Sequence, residues 1–175
     1  MKKAGTIKKL AVYRLTQELA KEHATALAAI ANQIPLIDYS AADILAEHKG
    51  DRIFHGKWEH SLLVLDENIP VSFIMAYERE AERNEQYLKH SLYISELLVA
   101  EQYQRQGIGS ALITKFLEIN KSFHHLEGTL LYSTQTNSAA WNQHVQNLYI
   151  SHGFKHTGNK IYPNRNDIIL TKTSD

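Results

Sequence analysis

The residues best suited to chemistry in this chain form one glycine-containing turn. The segment 91–110 is predicted to be a strand, a short loop and the start of a helix. The junction consists of Gln104, Arg105, Gln106, Gly107, Ile108, Gly109 and Ser110. A helix N-terminus presents unpaired N–H groups and roughly half a positive charge, and glycine lets an anion approach the backbone closely and adopts dihedrals denied to other residues. The turn is therefore predicted to bind an anion, usually a phosphate at such sites.

Two common phosphate-binding loops do not fit this turn. A P-loop ends in Gly-Lys-Ser or Gly-Lys-Thr, and that ending does not follow here. A dinucleotide-binding fingerprint has a third glycine where this chain has Leu112. The phosphates would therefore belong to another class of ligand. The turn taken alone also suits an ordinary strand-to-helix connection.

A carboxylate interrupts the apolar strand that precedes the turn. Glu96 lies directly before Leu97, Leu98 and Val99. Burying a carboxylate is costly unless it has partners, so Glu96 either faces solvent at an edge or has a specific role. Glu101, in the loop beyond the strand, is expected to be exposed.

Composition excludes several functions. The 175 residues suit one domain spanning 1–175, and equal numbers of basic and acidic residues argue against nucleic acid as a partner. Without cysteine there is no disulfide, thiol nucleophile or thiolate metal site. Ten histidines occur without a His-Glu-x-x-His motif, so no metal is expected. No apolar run approaches the roughly 20 residues of a membrane span, and the cytoplasm is the expected location.

Local patterns predict an α/β fold with the order β-α-α-β-β-β-α-β-α-β-β: a mixed sheet of about seven strands with helices on both faces. The strands are predicted at 7–15, 61–65, 69–77, 91–99, 130–134, 154–161 and 167–173. The first helix is predicted at about 17–32 after a Thr16 cap, and the second begins at 40 with a Ser40–Asp43 capping box. The third is predicted at 108–123, where His124 and His125 close it. The fourth is predicted to run from an Asn137 or Ser138 cap to about 152. Residues 78–89 are predicted to form a charged loop, and Gly153 to end the last helix in the left-handed region.

Two motifs in this order resemble the GNAT superfamily of acyl-CoA-dependent N-acetyltransferases. The first is an apolar strand ending in Leu97-Leu98-Val99, followed by Gln104-Arg105-Gln106-Gly107-Ile108-Gly109. The second is Asn142-Gln143-His144-Val145-Gln146-Asn147-Leu148-Tyr149, followed by Gly153-Phe154. Val145 replaces the usual alanine. The resemblance covers roughly residues 5–173. Asn137 also matches the motif asparagine, although Asn142 has the better spacing to Tyr149.

The resemblance implies acetyl-CoA as co-substrate. The turn 104–110 would wrap the pyrophosphate, with Arg105 either adding a charge contact or remaining solvated. The pantetheine arm would pair with the strand at Leu98 and Val99, where a backbone N–H could polarise the thioester carbonyl. Asn142 belongs to the same implied cofactor site.

The resemblance also implies catalytic roles for two residues. Tyr149 matches the family position whose phenol protonates the leaving thiolate, whereas its spacing alone suits a packed core tyrosine. Glu96 would act as general base, often through water, or would bind a cationic substrate. Tyr39 falls where the family shapes the acceptor pocket.

The function implied is transfer of an acetyl group from acetyl-CoA to a primary amine by direct attack in a ternary complex. The acceptor would be a small molecule or a peptide, and a homodimer is left open. A non-catalytic acyl-CoA-binding module of the same fold is the alternative. A nucleotide-binding regulatory domain would need residues that select a base or ribose, and we find none.

Overall fold

The computed structural model describes residues 3–34, 37–79, 90–132, 139–162 and 165–173. They divide into two compact units, one comprising residues 1–78 and 96–120 and the other 79–95 and 121–175. The structure is a mixed α/β fold, as predicted. Its main sheet is mostly antiparallel and has eight strands among the described residues instead of about seven. The prediction of a single acetyltransferase domain over 1–175 stays a prediction.

The N-terminal segment is a hairpin, so the predicted single strand 7–15 is wrong. Strands β1 (Lys3–Ile7) and β2 (Leu10–Arg14) pair antiparallel, with Ile7 opposite Leu10. The chain reverses at Lys8 and Lys9, whose φ values are 54° and 125°. Positive φ is uncommon outside glycine, asparagine and aspartate, so the lysines gave no turn signal.

The first two helices begin at the predicted caps. In α1 (Gln17–Ala31), the Thr16 hydroxyl accepts a hydrogen bond from the Leu19 N–H. In α2 (Ala41–Leu45), Ser40 and Asp43 form the complete capping box. Three short elements that were not predicted follow: β3 (His48–Lys49), β4 (Arg52–Ile53) and α3 (Lys57–His60).

The remaining strands of the first unit form its core. Strands β5 (Leu62–Asp66) and β6 (Ile69–Arg79) make the predicted hairpin, and β2 pairs with β5. Since β6 continues to Arg79, the predicted loop begins too early, and its residues 80–89 lie outside the described part of the chain. Strand β7 (Ser91–Val99) contributes Leu98 to a buried cluster with residues of α1, α2, β5 and β6.

Helix α4 (Ile108–Ile119) ends earlier than predicted. The predicted end near Phe123, with His124 and His125 closing the helix, is wrong because Asn120 terminates it. The Asn120 side chain donates to the Phe116 carbonyl at 3.1 Å, and its oxygen lies 2.9 Å from His60 Nδ1. These bonds hold Asn120 outside the helix, at φ −105° and ψ 25°.

The second unit contains the first half of β7 and three further strands. They are β8 (His125–Tyr132), β9 (Lys155–Tyr162) and β10 (Arg165–Thr173). Strand β8 pairs parallel with β7 and antiparallel with β10, which also pairs with β9. Strand β8 begins before the predicted residue 130. Helix α5 (Ala139–Ser151) packs on β8, and Gly153 follows it at φ 85° as predicted. Its candidate caps, Asn137 and Ser138, lie outside the described residues.

Candidate active site

The glycine turn leads into α4 in a geometry suited to an anion. A short 3-10 turn, Glu101–Tyr103, precedes it, and Gly107 is the N-cap residue of α4 with φ 80° and ψ 6°. Arg105 also has positive φ, at 59°. Ile108 is buried and anchors the helix, whereas Arg105 and Gly107 are exposed. The first N–H groups of α4 therefore begin at an exposed glycine, where an anion can approach.

The two glycines of the turn have different roles. The left-handed conformation occurs at Gly107, whereas Gly109 is the second residue of α4 and is not at positive φ. The expectation that a glycine of this turn adopts dihedrals denied to other residues is therefore confirmed for Gly107 and wrong for Gly109. For this residue only the argument from close approach remains, because a side chain there would project from the first helical turn.

A lysine near the N-terminus, which the sequence analysis did not identify, lies beside this turn. Cε and Nζ of Lys8 are both 4.0 Å from the position that a Cβ on Gly107 would occupy. Lys8 reaches this position because it lies in the β1–β2 turn, which was not predicted. Its positive charge adds to the helix N-terminus and favours an anionic ligand.

The end of β7 is held from both sides. The Ser72 hydroxyl donates to the Leu98 carbonyl at 2.7 Å, and the Gln104 side chain donates to the Val99 carbonyl at 3.0 Å. The Ala100 N–H donates to the Val71 carbonyl at 2.8 Å. Gln104 therefore connects the strand directly to the glycine turn. The turn and the strand end are thereby fixed with respect to each other within the first unit.

The structure brings together Glu96 and Tyr39, the two predicted acceptor residues of this unit. The Tyr39 hydroxyl donates to Glu96 Oε1 at 2.7 Å, across 57 positions of sequence. Both side chains are half-buried. Glu96 is therefore neither a solvated edge residue nor an unpartnered buried charge, while its role in the site stays a prediction.

Burial raises the pKa of Glu96 to about 7 from its ordinary value of 4.5. The hydrogen bond from Tyr39 and the positive charge of Lys57 act in the opposite direction, but desolvation is the larger effect. A carboxyl group with this pKa takes up and releases a proton near neutral pH. General bases are most effective in this range.

Tyr39 is positioned through its backbone. The Asn32 side chain, at the end of α1, accepts from the Tyr39 N–H at 2.7 Å and donates to the Tyr39 carbonyl at 2.9 Å. The next residue, Ser40, is the N-cap of α2. Tyr39 is therefore held between two helix ends, which limits the positions that its hydroxyl can take. Sequence reasoning did not identify Asn32.

A buried lysine contacts the C-terminal end of α2. Lys57, at the start of α3, has only 5% of its surface exposed. Its Nζ donates to the carbonyls of Ile44 at 2.8 Å and Ala46 at 2.5 Å. Burial lowers the pKa of Lys57 to about 8, against the opposing effects of Glu47 and Glu96. Lysines are rarely buried unless they are paired, but the sequence around Lys57 carried no motif that would have identified it.

Tyr149 belongs to the second unit and is buried, with 2% of its surface exposed. Its ring meets Phe154 edge-to-face at a centroid distance of 5.0 Å, and its carbonyl accepts from the Phe154 N–H. The packing role of Tyr149 is thus visible, while its role as general acid stays a prediction. The backbone of Asn142 is helical, but its side chain lies outside the described part of the structure.

Two negative findings concern the described residues alone. They contain no group of three or more His, Cys, Asp and Glu side chains arranged to hold a metal ion. None of the helices in the described ranges has the length and apolarity needed to cross a bilayer.

A known domain family matches the part of the chain that contains both motifs. Residues 57–156 match the family described as Acetyltransferase (GNAT) domain. No curated protein matches the chain. The family match includes β7, the glycine turn, α4 and α5, and so covers both motifs that suggested the family.

Solved structures share the fold at low sequence identity. The chain is 18% identical to a NatC complex structure bound to Gag peptide and CoA (TM-score 0.68; 95% of this chain and 99% of that chain covered). It is 16% identical to the ribosomal-protein-S18-alanine N-acetyltransferase of Escherichia coli (TM-score 0.63; 94% and 93%). It is 19% identical to Arabidopsis thaliana Naa50 in complex with a bisubstrate analogue, CoA-Ac-MVNAL (TM-score 0.63; 94% and 99%). With the family match covering more than half of its residues, the chain belongs to the GNAT family of acetyl-CoA-dependent acetyltransferases.

Proposed function

We propose that the protein transfers an acetyl group from acetyl-CoA to the α-amino group of a peptide. The observation that carries this proposal is the Tyr39–Glu96 pair, in which a half-buried carboxyl group has its pKa raised to about 7. The anion site at the glycine turn accounts for the co-substrate, and Glu96 accounts for the acceptor.

The pKa of Glu96 favours one class of amine. An α-amino group has an ordinary pKa of about 8, and a lysine ε-amino group about 10.4. Moving a proton from the ammonium form to Glu96 is therefore uphill by about 1 pKa unit for a peptide N-terminus and about 3.4 units for a lysine. These differences correspond to about 1.4 and about 4.6 kcal/mol. An α-amine is thus the better match for this base.

The proposed reaction takes place in a ternary complex. Glu96 accepts a proton from the ammonium group, directly or through water, and the neutral nitrogen attacks the thioester carbonyl. A C–N bond forms, the C–S bond breaks, and the thiolate of CoA leaves with the bonding electrons. Tyr149 is the proposed donor of the proton to that thiolate. The second proton, which the nitrogen loses as the amide forms, passes through solvent to restore the Tyr149 phenol. A backbone N–H at Leu98 or Val99 is proposed to polarise the carbonyl.

The turn at residues 104–110, with Lys8, is the proposed holder of the CoA phosphates. The orientation of the strand end supports this, because Gln104 belongs to the turn and donates to the Val99 carbonyl. Acetyl-CoA bound by its pyrophosphate at the turn would extend along Val99 and Leu98 towards Glu96, two residues earlier on β7. Peptides and CoA in the structures of relatives support a peptide acceptor.

A matched set of peptides tests the proposal. One short peptide contains a free N-terminus and no lysine, a second has a blocked N-terminus and one lysine, and a third has a blocked N-terminus and no lysine. CoA release is followed with a thiol-reactive dye, and mass spectrometry locates the acetyl group. We expect kcat/KM to be at least about tenfold higher for the free α-amine than for the lysine peptide.

Two results would contradict the proposal. Equal or faster acetylation of the lysine peptide, or acetylation of small-molecule amines alone, would show that the acceptor is not a peptide α-amine. Binding of acetyl-CoA without CoA release for a broad panel of amines would instead favour the non-catalytic acyl-CoA-binding module. A Glu96→Gln variant tests the role of the base. It should lose most activity at pH 7 and regain part of it at higher pH, where more amine is already neutral.

A further inference from the structure

The part of the first unit around α2 contains a buried lysine that the reaction as described does not use. Lys57 is 5% exposed, and its ammonium group lies 4.6 Å from the ring centre of Trp58 and 5.6 Å from that of Phe54. Burying an ammonium group is expensive, so contacts of this quality indicate a specific task.

The contacts of Lys57 converge on the end of α2. Its Nζ donates to the carbonyls of Ile44 and Ala46, which are near the last residue of the helix and at its C-cap. Terminal carbonyls of a helix lack intrahelical partners and carry partial negative charge, so an ammonium group stabilises them. Lys57 thereby holds α2 at the end opposite Ser40 and Tyr39.

We propose that Lys57 is a positioning residue of the acceptor site, which anchors α2 and through it the Tyr39 hydroxyl that contacts Glu96. This inference rests on the proposed function, because it assigns Lys57 a task in the site that receives the amine. The chain of contacts runs from the Lys57 ammonium to the Ala46 carbonyl, along α2 to the Ser40 cap, and from Tyr39 to Glu96.

The positive charge of Lys57 also affects the pKa of Glu96. The acidic groups that act on it are Glu96 and Glu47, and Glu47 is held in place by Trp58 Nε1 and by Gln17 Nε2 at 3.3 Å. The positive charge of Lys57 opposes the effect of burial on Glu96 and so keeps its pKa from rising further. An apolar residue of similar length would fill the space but would remove both the donor to the two carbonyls and this charge.

Kinetic measurements test the positioning role. Lys57→Met removes the charge and the donors at similar length, Lys57→Arg keeps both, and Lys21→Met removes an exposed lysine of α1 as a matched control. We expect Lys57→Met to lower kcat/KM about 10- to 100-fold, with partial recovery in Lys57→Arg and no change in Lys21→Met. The acid limb of the pH profile should move upward by about one unit in Lys57→Met alone, because the carboxylate has lost a favourable charge.

A double variant separates positioning from a general effect on the fold. If Lys57 acts through Tyr39, then Tyr39→Phe and Lys57→Met should be strongly non-additive, so that the double variant is little worse than the poorer single variant. Multiplicative losses, together with an unmoved pH profile, would overturn the proposal and leave Lys57 as a structural residue of the first unit.

An NMR titration of Glu96 tests the inference without any acetyl acceptor, because it does not depend on catalysis. In protein labelled with ¹³C at glutamate side-chain carboxyl carbons, the Glu96 signal is assigned by its loss in Glu96→Gln. Its titration midpoint should rise by about one unit in Lys57→Met and stay near the wild-type value in Lys21→Met. An unmoved midpoint overturns the proposal. If the midpoint moves but the wild-type protein acetylates no peptide, the proposed function is wrong, whereas the interaction of Lys57 with Glu96 is confirmed.

A reciprocal titration in Glu96→Gln tests the same interaction, and it remains possible if Lys57→Met does not fold. With ¹³Cε-labelled lysine, the midpoint of Lys57 should fall in Glu96→Gln, because the carboxylate that favours the ammonium form is gone. The substitution is nearly isosteric, and the amide oxygen of the introduced glutamine can still accept the Tyr39 hydrogen bond. An unchanged Lys57 midpoint in the folded variant would show that the two groups do not interact, which overturns the proposal.

Discussion

Replacing Glu96 by glutamine should change how the stability of this protein depends on pH. The pKa of Glu96 is about 7 in the folded protein, whereas the ordinary value is 4.5. The folded state therefore holds the proton more tightly than the unfolded chain. The contribution of Glu96 to stability is fully present below about pH 4.5 and is lost as the pH rises through about 7.

The size of the effect follows from the shift. A difference of about 2.5 pKa units at 1.36 kcal/mol per unit corresponds to about 3 kcal/mol. This is an upper value, because part of the Glu96 side chain reaches solvent, and we expect about 1–3 kcal/mol. The glutamine variant cannot ionise, so its stability relative to wild type should increase by this amount between pH 4.5 and 8.

Urea unfolding at several pH values measures this difference. Other ionisable groups affect both proteins equally, so the measured quantity is the difference in unfolding free energy between variant and wild type. Glu118→Gln serves as the control for removal of an exposed carboxylate in the same unit, where the side chain is 65% exposed. A variant-minus-wild-type difference that stays constant from pH 4.5 to 8 would refute the assignment of Glu96 as a desolvated carboxyl group.

Three further predictions concern the co-substrate and the second unit. Tyr149→Phe should lower turnover about 10²-fold with little change in acetyl-CoA affinity, since only the hydroxyl is lost; wild-type turnover where chemistry limits the rate would leave Tyr149 as a packing residue. Gly109→Val should weaken acetyl-CoA binding more than tenfold, or more than about 1.4 kcal/mol, in calorimetry, with Leu117→Val as the control on α4; equal affinity would contradict the phosphate role of the turn. Lys8→Gln should weaken the same binding about threefold at low salt and less at high salt, whereas a loss unaffected by salt would argue against a charge contact.

Much of the fold could be predicted because its signals are local. The Thr16 cap and the Ser40–Asp43 capping box involve residues three positions apart, and both are present in the structure. The hairpin between β5 and β6 likewise follows from a short polar turn between apolar runs. The main local failure was the β1–β2 turn, since Lys8 and Lys9 adopt positive φ without the usual residue types.

The candidate site was predicted only in part. The glycine turn and its motif indicated the family, because the geometry of a helix N-terminus after a glycine depends on adjacent residues of one strand–turn–helix unit. The sequence also indicated Glu96, since a carboxylate inside an apolar strand needs a reason. It gave no means to decide whether that carboxylate was solvated or partnered.

Tertiary structure alone decided the surroundings of Glu96. Tyr39 reaches Glu96 across 57 positions, Asn32 holds Tyr39 across seven, and Lys57 reaches Ala46 across eleven. The Asn32 and Lys57 contacts lie outside any motif that the sequence displays. The pKa of a carboxyl group depends on the solvent and charges around it, and these come from segments that folding brings together. The sequence by itself therefore determined the family and predicted where an anion would bind, while the packing of α1, α2 and α3 decided the environment of Glu96.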